Sequence, residues 1–291
     1  MRIAGVDIGG TSIKLGFFNS AGKMYDNIEY DTNSHKGGNY ILQNLIDKIE
    51  QFEQVDAIGV STAGQVDRKN GMIVQESANI PQTSGLPIKG ILENHFNVPV
   101  NVENDVNAAA LGENYFGAGR DYNDFLFLAY GTGIGGAIVD NSELYYGRNG
   151  YAGEFGHMIT HGNGLPCKCG LKGCYETYAS TTALLREAQK LDSDITNGRI
   201  IFKKFYENDN QIKEVIDNWV EEIVIGLTSI IHIFNPTTIV IGGGIMEQEV
   251  LIHMISKKVN EMVLESFAGV NIVKASLGNK AGMLGAVSLH V

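Results

Sequence analysis

One plan occurs twice in this chain, and it limits the folds open to it. Ile3 to Ile8 is an apolar run that carries Asp7, turns at Gly9-Gly10-Thr11 and resumes with Ile13, Leu15, Phe17 and Phe18. Phe125 to Tyr130 runs into GTGIGGAIV in the same way, as apolar strand, glycine-rich turn with a threonine, apolar strand. Each half predicts a β-hairpin closed by glycines. Further strands are expected at Ala57 to Ser61, Val100 to Glu103 and Ile239 to Ile241. Apolar periodicity predicts helices over Ile41 to Phe52, Val106 to Phe116, Thr181 to Leu191 and Val215 to Phe234. Strands followed by helices give an α/β protein whose mixed sheets are covered by helices. At 291 residues the chain is long for one core, so two lobes are expected, and no short-period repeat points to a solenoid.

Hydrophobic content of 44%, charged content of 19% and 36 glycines describe a folded, turn-rich chain. A formal net charge of -11 without a run of Lys or Arg argues against a nucleic-acid surface. The N-terminal MRIAGVDIGG lacks the apolar region of a signal peptide, and no segment approaches the roughly 18 apolar residues of a membrane span. A cytoplasmic protein is expected.

An anionic nucleotide would then be held locally. Gly9 and Gly10 let backbone amides approach phosphate oxygens, Thr11 adds a hydroxyl, and Asp7 is suited to a hydrated Mg2+. Taken alone, DIGGT is equally a tight hairpin. The second glycine turn, Gly131 to Gly136, favours the nucleotide reading, although it continues into a strand and so is no dinucleotide fingerprint. The chain has no Walker lysine motif. A third cluster, Gly242-Gly243-Gly244, follows a strand where a base or ribose could lie against bare backbone.

The segment VENDVNAAALGENYFG brings a strand into Asn104-Asp105 and then an alanine-rich helix. Either residue could serve as an N-cap, but two in succession after Glu103 exceed what capping requires. The alternative is a carboxylate at a strand end, Asp105, with the Asn104 amide beside it to orient a substrate hydroxyl. In phosphoryl transfer a base mainly positions the attacking oxygen, a role open to Asp105. Asn107, Ala108, Ala109, Ala110 and Gly112 keep the helix thin, which is expected to permit close packing between lobes.

Cys167, Cys169 and Cys174 are the only cysteines and fall within eight positions, after Glu154 and His157. Three thiolates and one imidazole suit a structural zinc with all four positions filled by protein, and Gly170 and Gly173 let the loop turn tightly. A disulfide with a spare thiol is the alternative, disfavoured in a reducing cytosol. His161 competes with His157 as fourth ligand. Glu154 and Glu176 bracket the loop and could pair with neighbouring sugar hydroxyls, with solvated surface acids as the plain alternative. The second ring nitrogen of His157 is free for a ligand or a carboxylate.

DIGGTSIKLG, ENDVNAAALGE, GTGIGGAIV, GEFGH and CKCGLKGCYE, in this order, resemble the ROK family of repressors, open reading frames and sugar kinases over nearly the whole chain. The resemblance implies the two-lobed actin/hexokinase-like (ribonuclease H-like) α/β fold, with a central cleft that closes over ATP and substrate. It implies a discontinuous small lobe, 1–116 plus 280–291, and a large lobe, 117–279. By resemblance Asp105 is the general base and Asn104, Glu154, His157 and Glu176 bind the sugar. His157, Cys167, Cys169 and Cys174 hold zinc. Gly9, Gly10, Thr11, Lys14, Gly131, Thr132, Gly133 and Gly135 face phosphates, and Gly243 and Gly244 face the adenosine. The implied reaction moves the γ-phosphate of ATP, with Mg2+, to the 6-hydroxyl of a hexose, in a homodimer.

Ala63 stands where many members have proline, and SANIPQTSGLPIKG lacks a tryptophan common in glucose-specific members; Trp219, the only tryptophan, lies elsewhere. Glucose, N-acetylmannosamine and a β-glucoside all fit, with a glucose-type hexose expected. A repressor of this family would need a helix-turn-helix ahead of Asp7, where six residues stand. A sugar sensor without catalysis is the competing class, and Asp105 argues against it.

Overall fold

The structure is a computed structural model and describes residues 1–52 and 54–291. The chain divides into two compact units, Met1–Asp121 with Ser142–Ala152 and Ser276–Val291, and Tyr122–Asn141 with Gly153–Ala275.

The first unit is built on a sheet of order β3-β2-β1-β4-β7, from β1 (Arg2–Ile8), β2 (Ser12–Asn19), β3 (Met24–Asp31), β4 (Ala57–Thr62) and β7 (Val100–Asn104). A small ribbon, β5 (Gln65–Asp67) with β6 (Met72–Gln75), lies outside that sheet. β1 to β3 are antiparallel neighbours, whereas β4 runs parallel to β1 and β7 parallel to β4. The parallel register sets Asp7 opposite Ser61 and Ser61 opposite Glu103, so chemistry-bearing residues gather at the carboxyl ends of the strands. Ile13, Leu15, Val60 and Val102 pack with Leu42, Leu45 and Ile49 of α1 (Gly38–Ile49) and Leu92 of α2 (Ile88–Phe96) in one core.

The thin helix α3 (Asp105–Phe116) has its close partner within the same unit. It lies against α9 (Ala281–Ser288), where Gly112 is so near that a Cβ there would come 2.6 Å from the Ala281 carbonyl oxygen. Gly285 answers it from α9, pressed onto the Ala108 carbonyl. Small residues on both helices thus act as a backbone-to-backbone seam, and the seam expected between lobes is an internal one. Glu113, fully buried on α3, accepts hydrogen bonds from Ser276 N and Oγ, Leu277 N and Ala118 N, which fastens the start of the last segment to the helix.

The second unit repeats the plan. β8 (Phe125–Tyr130) and β9 (Ile134–Asp140) form the hairpin, and β11 (Thr238–Gly242) and β12 (Asn271–Lys274) extend it in parallel, in the order β9-β8-β11-β12; the two-residue strand β10 (Glu143–Leu144) follows β9 in the chain. Leu126, Leu128, Ile239 and Ile241 share a core with helices α4 (Glu176–Ala179), α5 (Thr181–Gln189), α6 (Gly198–Tyr206), α7 (Asn210–Phe234) and α8 (Glu249–Met262). α7 begins five residues before its apolar periodicity does, because the Asp209 carboxylate caps it by accepting from Gln211 N and Ile212 N at 3.0 and 3.2 Å. Among the described residues no helix is long and apolar enough to cross a membrane.

Candidate active site

In the first unit the β1–β2 turn is closed by Gly9 N donating to Ser12 O at 3.0 Å and held from the side by Thr32, whose hydroxyl donates to Gly9 O at 2.6 Å. Gly10 abuts Asn79: a Cβ on the glycine would come to 2.8 Å from the Asn79 Cβ. Thr11 at the tip is exposed. Asp7 accepts from the Ser61 hydroxyl at 3.0 Å and pairs loosely with Lys14, its cross-strand partner, at 3.8 Å. Burial pushes its carboxyl up from the ordinary value, against the opposing pull of Lys14. A buried carboxylate so weakly compensated fits a hydrated divalent cation.

Asn104 and Asp105 divide the work at the start of α3. Asn104 is the cap: its Oδ1 accepts from Val106 N and Asn107 N at 2.9 and 3.2 Å, and its Nδ2 donates to Gly64 O and to Asp105 Oδ1. Asp105 Oδ1 also accepts from Val106 N. The Asp105 carboxyl is pushed up to about 6, first by burial and then by the charge of Asp7. Glu103, buried just before them, is satisfied by Arg68 at 2.7 Å, Tyr146 at 3.1 Å, Asn107 at 3.1 Å and Asn104 N at 2.9 Å, and so fixes the strand end that presents the pair.

In the second unit Glu176, the first residue of α4, reaches the β8–β9 turn. Its Oε2 accepts from Ile134 N at 3.3 Å and lies where a Cβ on Gly133 would fall. Its Oε1 accepts from the Cys167 thiol at 3.0 Å and lies 3.8 Å from His157 Nδ1. Glu154 is half exposed, with Oε2 3.9 Å from His157 Nε2. His157 therefore sits between the two glutamates.

The donor atoms of His157, Cys167, Cys169 and Cys174 all lie within 4.8 Å of one another. Cys169 and Cys174 sulfurs are 3.6 Å apart and Cys167 Sγ is 3.9 Å from His157 Nδ1, close to the ~3.8 Å edge of a tetrahedron with zinc–sulfur bonds. The cysteines are free thiols, so the disulfide alternative does not form. Short backbone bonds shape the loop, Cys167 N to Leu171 O and Gly173 N to Leu165 O, both 2.8 Å. Gly173, at φ +80°, is pressed onto the His161 carbonyl, which no residue with a Cβ permits. His161 itself turns away, stacked on Tyr178 at 3.9 Å with Nε2 3.6 Å from Glu222, and is not part of the cluster.

A cavity of about 670 Å3 opens beside the second glycine turn. Gly131 and Thr132 from that turn and Gly244 from the third cluster line it together with Asn197, Gly198, Arg199 and Phe202 around α6. Gly243, at φ +108°, is wedged against the Tyr130 backbone, which draws the two glycine segments together. Gly135 lies in β9 beyond the turn. The α6 residues carried no motif, because a short helix whose apolar face is shared with the core reads like any other. Gly282 was equally silent: a Cβ there would come 2.7 Å from Cγ of Asp7.

A sequence profile of the ROK family matches residues 3–291. The chain belongs to the ROK family. It is 33% identical to a protein named glucokinase from Thermotoga maritima, covering 99% of this chain and 97% of that one. It is 34% identical to a beta-glucoside kinase from Listeria monocytogenes, covering 99% and 96%. The structure of a ROK family glucokinase from Streptomyces griseus in complex with glucose and AMPPNP superposes with a TM-score of 0.87 at 31% identity, covering 99% of both chains. The expected α/β fold of hexokinase type with mixed sheets is the fold observed.

Proposed function

We propose that this ROK sugar kinase transfers the γ-phosphate of ATP to the 6-hydroxyl of a hexose, with glucose as the preferred sugar. Asp105 carries the reading: an enclosed carboxylate with its pKa pushed up to about 6 is ionised at neutral pH yet basic enough to take a hydroxyl proton as the phosphoryl group arrives. Asn104 orients it through the 2.9 Å bond to Oδ1. Glu154, His157 and Glu176 are assigned to the sugar ring hydroxyls, supported by their clustering around one imidazole.

The cavity between Thr132 and Gly244 is assigned to the adenosine, and the Gly9-Gly10-Thr11 turn, Lys14 and the Gly131 to Gly135 turn to the phosphates. Mg2+, held by Asp7, would neutralise charge on the phosphates. Zinc on His157, Cys167, Cys169 and Cys174 would serve structure alone, since protein fills all four positions. The reading includes a homodimer working in the cytoplasm, where reduced thiols and ATP coexist.

A coupled ADP-release assay over glucose, N-acetylmannosamine, cellobiose, mannose and fructose tests it. Turnover of glucose above the others, lost in Asp105→Asn, is the expected result. Preference for cellobiose or N-acetylmannosamine would reassign the substrate, and sugar binding without ADP release would make the protein a sensor.

A further inference from the structure

A second cavity, of about 450 Å3, lies in the second unit along one face of α7 and is lined by none of the residues assigned above. Gln211, Glu214, Val215, Asn218, Trp219 and Glu222 supply that face, at the three- and four-residue spacing of a helix. Arg186, Glu187 and Lys190 of the α5 segment and Leu165 and Tyr178 of the cysteine-loop region complete the wall.

The polar groups of the wall are unevenly satisfied. Glu187 is matched by Arg186 and Lys190 at 3.0 and 2.5 Å. Glu214 and Asn218 make no side-chain hydrogen bond among the described residues and are exposed on the helix. Glu222 keeps one oxygen, Oε2, shut away from solvent without a hydrogen-bond partner; its other oxygen has only His161, at 3.6 Å. Tyr178 Oη accepts from Leu165 N at 2.6 Å, which leaves its own proton to donate. Among the described residues, Glu214, Asn218 and the Tyr178 hydroxyl proton thus have no protein partner around a space with apolar walls, the composition of a small-molecule site, while Glu222 Oε2 is closed off from it.

Charge narrows the occupant. The wall carries both signs, Glu187, Glu214 and Glu222 against Arg186 and Lys190, so neither an anion nor a compact cation meets opposite charge alone. A neutral molecule with several hydroxyls, each both donor and acceptor, answers all of them and can lay a C–H face on the apolar wall. We infer that this cavity is a second binding site for a neutral carbohydrate of mono- or disaccharide size, separate from the site that holds the sugar to be phosphorylated. Tyr178 joins it to the cysteine loop through its stack on His161 and its bond to Leu165.

Trp219 makes the site observable. It is the only tryptophan, lies in the cavity wall and is fixed by Nε1 donating to Ser180 O at 3.0 Å. Its emission would be titrated with glucose, cellobiose and N-acetylmannosamine, to tens of millimolar, in a Glu154→Gln, Glu176→Gln protein that lacks the proposed substrate contacts. A saturable change that persists in that background, and weakens about tenfold or more when Glu214→Gln and Asn218→Ala are added, is expected. Because both added changes fall on exposed positions, circular dichroism should remain that of the parent. A response that vanishes with Glu154→Gln, Glu176→Gln and survives Glu214→Gln, Asn218→Ala would overturn the second site, as would no response to any of the sugars. A response to spermidine alone would overturn the carbohydrate class. None of these outcomes depends on turnover, so failure of the kinase reading would show separately in the ADP assay.

Discussion

Ionised Asp105 works against the fold that holds it. Its carboxyl titrates near 6 in the native state against an ordinary value of 3.8, so the stability the native environment lends to the neutral form is complete below the ordinary value and lost as pH rises through about 6. At neutral pH the charged form therefore costs stability. Asp105→Asn keeps an oxygen to accept from Val106 N and Asn104 Nδ2, and is expected to raise stability at pH 7.5 by about 2 kcal/mol while lowering turnover by about 100-fold or more. Thermal melts of both proteins at pH 5 and pH 7.5 check the first half, since the gap should shrink at the lower pH. Turnover of the parent should fall as pH drops below about 6 as Asp105 takes up its proton. Gly282 offers a second handle: Gly282→Ala sets a methyl 2.7 Å from Cγ of Asp7, and displacement of that carboxylate is expected to lower kcat/KM for MgATP by about tenfold. An unchanged value would detach Asp7 from the nucleotide.

At the scale of elements, the cysteine loop is where the proposed zinc can be tested against the loop's own packing. Burial pushes the Cys167 and Cys174 thiols up, while the Leu171 N–H first and then the Cys167 and Cys174 thiols draw Cys169 down, so a cation bound there would have to overcome the first two. Chelation is expected to release the amides of Cys167, Gly170 and Gly173 to hydrogen exchange and to raise KM for sugar, because His157, one of the four proposed ligands, lies against both Glu154 and Glu176. Retained protection would show that the loop is built without metal. Local signals made this loop and both glycine hairpins legible in the sequence: each is short, and each uses residues whose geometry is nearly unique. Asn104 and Asp105 were legible as a pair but not in their division of labour, which depends on which side chain meets Val106 N and Asn107 N. The wall given by α6, the buried Glu113 anchor and Gly282 beside Asp7 were not legible, because each acquires its role from residues far away in the chain.

For the molecule as a whole, the repeated hairpin-and-parallel-strand plan gives each unit its own buried apolar clusters rather than one large shared core. Ala4, Leu15, Val60 and Val102 belong to one buried cluster, and Leu128, Trp219, Ile223 and Ile241 to another. Perturbations can therefore be addressed to a single core. The cysteine loop and its donors lie in the second unit, whereas Glu113 and every group it accepts from lie in the first. Glu113→Ala strands several buried N–H groups and is expected to destabilise the first unit by about 3 kcal/mol. Differential scanning calorimetry should then separate two transitions: Glu113→Ala lowers one, chelation lowers the other, and the two together lower both by nearly the sum of their separate effects, as holds for sites that share no partners. A single transition that moves as one under either change would mean that the cores unfold as one cooperative body, and that the repetition in the sequence is architectural without being energetic.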